Sequence, residues 1–126
     1  MSSRIDKVLD AARARLDRMP ADDVPGALKR GAVLVDIRPQ AQRDREGHVP
    51  AALVIERNVL EWRFDPASDA RLAIAAYDLQ VIVLCQEGYT SSLAAASLAD
   101  LGIHRATDVI GGYAAWLDSG LPLGPG

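Results

Sequence analysis

Four short apolar runs are spaced along this chain, each bounded by residues that stop a strand. Val33-Leu34-Val35-Asp36-Ile37 lies between Gly31 and Pro39, and Ala52-Leu53-Val54-Ile55 follows Gly47 and Pro50. Val81-Ile82-Val83-Leu84 stops at Cys85, and Thr107-Asp108-Val109-Ile110 stops at Gly111-Gly112. Runs this short, continuous and β-branched suit strands buried on both faces, as in parallel sheets. Helix-compatible stretches separate or follow them, at residues 39–46, 69–77, 91–101 and 113–118. The alternation predicts an α/β fold with a central, mostly parallel sheet flanked by helices. With 126 residues, 49% of them hydrophobic, the chain has the size and apolar content of one domain around a single core.

Ahead of the first strand, Ile5, Val8, Leu9, Ala12, Leu16 and Met19 recur at helical spacing. Ser3 with Asp6 has the capping-box pattern, and Pro20 marks the predicted end. An amphipathic helix is therefore expected as an extension over residues 1–18, preceding a domain over 19–126. Its opposite face carries Arg4, Lys7, Arg15 and Arg18, expected to be solvated, with docking to another protein as the alternative. The same charges leave the start without the apolar centre of a signal peptide. No apolar run is long enough to cross a membrane. A net charge of -3 with only two lysines argues against nucleic acid or an anionic membrane as partner. One cysteine forms no internal disulfide, so a cytoplasmic location is expected. That cysteine and the isolated His48 and His104 do not make a zinc site, and no metal or organic cofactor is expected.

Open α/β sheets bind ligands beyond the carboxyl ends of their strands. The most apolar strand delivers Cys85 to that edge, followed by Gln86-Glu87-Gly88-Tyr89-Thr90-Ser91-Ser92 and a helix beginning near Leu93. Ser91 or Ser92 is placed to cap that helix. Gly88 permits a sharp turn, so successive N–H groups can converge on the sulfur as an anion nest. The helix dipole adds positive potential at the same point. Both effects favour thiolate over thiol. The bland alternative is a small hydrophobe ending a strand.

These residues resemble a known family. Cys85-Gln86-Glu87-Gly88-Tyr89-Thr90 is similar to the C-x-x-G-x-[RTS] loop of rhodanese-type sulfurtransferases. Leu34-Val35-Asp36-Ile37-Arg38 resembles the family's opening strand, and Gly47-His48-Val49-Pro50-Ala51-Ala52 its G-H-I-P-G-A segment, with Ala51 replacing a glycine. Gly111-Gly112-Tyr113-Ala114-Ala115-Trp116, with Gly120 and Pro122, resembles its closing G-G-x3-W and G-x-P pattern. Any one motif is weak, but four in order and spacing are specific. The resemblance covers residues 19–122 and implies a rhodanese-like fold. It implies that Cys85 takes sulfur from a small donor, becomes a persulfide and passes the sulfur to a thiophilic acceptor such as cyanide, a thiol or a protein. The N–H groups of Gln86 through Ser91 would stabilise the anions along the way.

The departures bear on the substrate. Rhodaneses that prefer thiosulfate often carry cations in the loop, whereas Glu87 is the only charged side chain here. If Glu87 faces a bound dianion it opposes it by about 1 kcal/mol at 4 Å in water, and by more at lower dielectric. A neutral or larger persulfide donor suffers less. Arg57 stands where family members commonly place an arginine facing the cysteine, and its competing reading is a surface ion pair. Asp36 is expected to bond nearby backbone, Arg38 to pair internally, and His48 to support the turn at Gly47 and Pro50. Arg63 is a weaker cation candidate. Trp62 and Phe64 belong to the pocket wall or the core, Tyr89 to the pocket rim or solvent, and His104 to an exposed loop. A cysteine phosphatase uses C-x5-R, whose arginine grips phosphate, but the sixth position after Cys85 is Ser91. A non-catalytic sulfur carrier or interaction module is the alternative function. Oligomeric state is not legible, although the N-terminal helix is the place to seek a dimer contact.

Overall fold

The computed structural model describes residues 3–123. Strands β1 (Val33–Asp36), β2 (Ala52–Val54), β3 (Val81–Leu84) and β4 (Thr107–Asp108) form one sheet in the order β2-β1-β3-β4. All three pairings are parallel, with Val35 opposite both Leu53 and Val83. Helices α1 (Arg4–Arg13), α2 (Val24–Lys29), α3 (Gln40–Glu46), α4 (Leu60–Phe64), α5 (Thr90–Asp100) and α6 (Gly112–Asp118) surround it. This is the α/β arrangement expected from the sequence, a central parallel sheet flanked by helices.

The period of two along β1 and β3 sorts their side chains between two cores, whereas the edge strand β2, expected to be buried, leaves Leu53 and Val54 exposed. Val35, Val81 and Val83 face Leu60 and Phe64 of α4 and Ala94, Ala95 and Leu98 of α5. Leu34, Ile82 and Leu84 face Val24 and Ala27 of α2 and Tyr113 and Trp116 of α6. All four β3 residues are fully buried, which is why that run carries no polar position.

Tertiary contacts corrected several local expectations. The Ser3–Asp6 capping box forms, but α1 ends at Arg13, well before Pro20. Beyond it Met19 joins the sheet edge, its N–H donating to Asp108 O at 3.0 Å and its carbonyl accepting from Ile110 N at 2.9 Å. These non-local bonds outweigh the high helix propensity of residues 14–19, five of which are Ala, Arg, Leu or Met. Nor is the basic face simply solvated: Arg15 pairs with Asp100 in water, but Arg18 reaches the buried carboxylate of Asp108. The stretch 69–77 forms turns, not a helix. Just upstream, the Asp65 carboxylate and Ser68 hydroxyl accept from Ala67 and Ala70 N–H, local bonds that compete with helical ones. Helix α2, with Pro25 in its first turn, was not foreseen because it is short and contains Gly26. No helix among the described residues is long and apolar enough to cross a membrane.

Candidate active site

Because the chain runs from β1 outwards to β2, then crosses back to β3 and β4, the sheet reverses its order between β1 and β3. Such a switch point leaves a crevice where the two following loops part. An open cavity of about 420 Å³ lies there, lined by Ile37, Arg38, Pro39 and Gln42 after β1, and by Cys85, Gln86, Glu87, Tyr89 and Thr90 after β3. Cys85 is 5% exposed. Its Sγ accepts from Ser91 N–H at 3.4 Å.

The loop owes its shape to what holds its carbonyl groups. The first turn of α6 supplies unpaired N–H donors: Tyr113 N donates to Cys85 O at 2.8 Å and Ala114 N to Gln86 O at 3.0 Å. Gly112 allows this approach, since a Cβ there would collide with Cys85 O and lie 2.8 Å from the Gln86 carbonyl carbon. The Gly88 carbonyl accepts from Arg13 Nη2 at 2.6 Å and Arg18 Nη2 at 3.0 Å. Gly88 itself has φ +84° and sits close against Gly111 N, where a side chain would not fit. In a planar trans peptide the C=O and the next N–H point opposite ways. Carbonyls drawn outwards therefore turn the N–H groups of Gln86, Glu87 and Tyr89 away from those partners. Among the described residues, the N–H groups of Gln86 through Tyr89 donate to no protein acceptor.

Beneath the loop Asp108 is fully buried and accepts four bonds: Arg18 Nε at 2.9 Å, Arg18 Nη2 at 3.2 Å, Ser91 Oγ at 2.7 Å and Ser92 Oγ at 2.8 Å. Neither serine caps α5. Tyr89 is the N-cap, without a side-chain bond, and the helix starts at Thr90. Sequence reasoning missed Asp108 as the anchor. The available signal was an acidic residue in an apolar run that could not be left unpaired.

The remaining candidates divide. Arg38 lines the cavity, but its Nε donates to Asp36 Oδ1 at 3.0 Å, and its Nη2 to Asp36 Oδ2 at 2.7 Å and Gly47 O at 2.8 Å. Its guanidinium also lies 4.0 Å from the Tyr113 ring centroid. Asp36 additionally accepts from the Arg38 backbone N–H at 3.0 Å. His48 Nε2 lies 3.3 Å from Asp44, at the turn leading to β2. Arg57 is not among the cavity-lining residues; its Nη1 bonds both Glu61 oxygens at 2.8 and 2.9 Å. Arg63 donates to Ala70 O, Phe64 is in the core, and Trp62 and His104 are exposed. Glu87 and Tyr89 are exposed on the cavity rim. Partial burial pushes the Glu61 carboxyl up, but the Ser97 hydroxyl, a backbone N–H and the Arg57 guanidinium together hold it below the usual carboxylate value.

Residues 20–119 match the family model described as Rhodanese-like domain. A thiosulfate sulfurtransferase, GlpE, of Pseudomonas savastanoi pv. phaseolicola is 30% identical over 99 residues, covering 79% of this chain and 85% of that protein. The Candida albicans adenylyltransferase and sulfurtransferase UBA4 is 31% identical over 97 residues, covering 71% of this chain and 20% of UBA4. Among solved structures, RPA3614 of Rhodopseudomonas palustris, a protein of unknown function described as a possible tyrosine phosphatase, superposes with a TM-score of 0.85. It is 30% identical, over 98% of this chain and 96% of that one.

Proposed function

The chain belongs to the rhodanese-like domain family, and from that premise we propose that it moves a sulfane sulfur from a donor to a thiophilic acceptor through a persulfide on Cys85. The observation that carries this reading is the Cys85 sulfur accepting an N–H bond at the mouth of a loop whose carbonyls are held on the outside. The thiolate attacks the outer sulfur of the donor. The donor's S–S bond breaks, and sulfite or a thiolate leaves with the electron pair; from 3-mercaptopyruvate the C–S bond breaks instead, and pyruvate enolate leaves with the pair. An acceptor nucleophile then takes the outer sulfur of the persulfide and returns the Cys85 thiolate. The loop N–H groups stabilise negative sulfur in each state. Support comes from the thiosulfate sulfurtransferase at 30% identity. The phosphatase reading lacks the arginine it needs, because Ser91 occupies that place.

The cavity favours an organic persulfide over thiosulfate. Glu87 stands on its rim and opposes a dianion, and Arg38, the cation among its lining residues, is already engaged by Asp36. A reducing compartment such as the cytoplasm suits a lone thiolate. The test is intact-protein mass after incubation with thiosulfate, 3-mercaptopyruvate or glutathione persulfide, beside Cys85→Ser. A gain of one sulfur that needs Cys85 and is lost to cyanide is expected. No gain from any donor would leave the non-catalytic module as the reading.

A further inference from the structure

Two of the groups that shape the loop come from outside the residues matched to the family. Arg13 ends α1 and Arg18 follows it, whereas the match begins at residue 20. Both guanidinium groups converge on one atom, the Gly88 carbonyl oxygen. Arg13 also donates through Nε to Ser92 Oγ at 3.1 Å and lies 5.5 Å from the Tyr89 ring centroid. It thus grips two successive loop residues and the first turn of α5. Arg18 is neutralised by Asp108, but Arg13 makes no ion pair among the described residues. Its positive charge stands behind a loop whose own side-chain charge is negative.

Resting on the sulfur-transfer reading, we propose that Arg13 and Arg18 are positioning residues for Cys85. They fix the Gly88–Tyr89 peptide with its N–H turned into the cradle, and Arg13 supplies the cation that the loop sequence lacks. A charged donor on the carbonyl also polarises that peptide, which strengthens its N–H as a donor to anionic sulfur. The N-terminal segment therefore acts on the reaction through the loop that it holds.

The test compares wild type with Arg13→Gln, Arg13→Lys and Arg13→Met, and with Arg15→Gln as a control on the same segment. Two rates are measured: single-turnover sulfur loading from thiosulfate and glutathione persulfide across donor concentrations, and alkylation of Cys85 by iodoacetamide at pH 7. Thermal melting verifies that each variant is folded. Arg13→Gln should lower the maximal loading rate about tenfold, less than the loss of a donor that touches the anion directly, with half-saturation changed less than about twofold. Alkylation should slow about threefold, since the thiolate is the reacting form. Arg13→Lys should recover part of both losses, because it keeps the charge but loses the fork. Arg15→Gln should match wild type. Should Arg13→Gln not fold, Arg13→Met, which keeps the apolar stem, takes its place with the same expected losses. Wild-type rates in the folded Gln or Met variant, or a Lys variant no faster than Gln or Met, would overturn the proposal. If wild type gains no sulfur from either donor, the sulfur-transfer reading fails, and the alkylation rates alone still decide the positioning role.

Discussion

Helix α5 anchors two networks built from the same residue types, an arginine and a carboxylate with one serine in the first and two in the second. Near its middle, Ser97 donates to Glu61, which is paired with Arg57. At its first turn, Ser91 and Ser92 donate to Asp108, which is paired with Arg18. The chemistry is alike, but the surroundings differ. The side chains of Arg57 and Glu61 are 38% and 21% exposed, so water competes for their charges. Those of Arg18 and Asp108 are 17% and 0% exposed, and Arg18 spends a further bond on the Gly88 carbonyl. Burial converts an ordinary ion pair into an anchor for the cysteine loop. The arginine whose sequence position suggested a role beside Cys85 lies in the wetter network.

The largest expected contrast is thermodynamic. Asp108→Ala leaves the half-enclosed Arg18 and two buried hydroxyls without their acceptor, and should cost about 3–5 kcal/mol of stability in urea unfolding. Glu61→Ala should cost no more than about 1 kcal/mol. Equal losses would break the comparison. Next is Gly112→Ala, which places a methyl group against the Cys85 and Gln86 carbonyls at φ +59°. It should cost about 1–3 kcal/mol in strain and reduce sulfur loading about a hundredfold, as losing an anion donor does. Arg57→Ala should leave the loading rate within about twofold, because a pair this exposed is worth little and the residue lies off the cavity. A large rise in the donor concentration needed would instead place Arg57 on the substrate.

The smallest effect is a pH dependence. The folded Glu61 carboxyl is held below its ordinary value of 4.5, so its contribution to stability is fully present above that value. It is lost as pH falls through the lower folded value. The stability difference between wild type and Glu61→Gln should therefore be constant at neutral pH and shrink on acidification. A difference that grows with acid would reverse the sign assigned to Glu61.

Much of the frame was legible. β3 is four consecutive fully buried residues, and a run this short and β-branched suits a central strand rather than a helix, so the place of Cys85 at its carboxyl end followed. The Gly111-Gly112 pair was legible as a landmark, but its closeness to the Cys85 carbonyl was not. Serines before an apolar helix looked like caps because capping is local; Asp108, 16 and 17 residues away, took their hydroxyls instead. The end of α1 was misplaced for the same reason, since Met19 pairs with a strand edge around Asp108 and Ile110 that no local pattern announces.

By itself the sequence determined the places of the four strands, the edge at which Cys85 emerges, and the glycines that let its loop turn. Hydrophobic period and backbone freedom are properties of neighbouring residues, and they survive in a linear string. Only the tertiary structure decided which charges meet the loop. Arg13 and Arg18 reach Gly88 across 75 and 70 residues of chain, and Arg18 reaches Asp108 across 90. An arginine side chain is long, flexible and charged wherever it stands. Its partner is whichever acceptor folding brings within reach and removes from water.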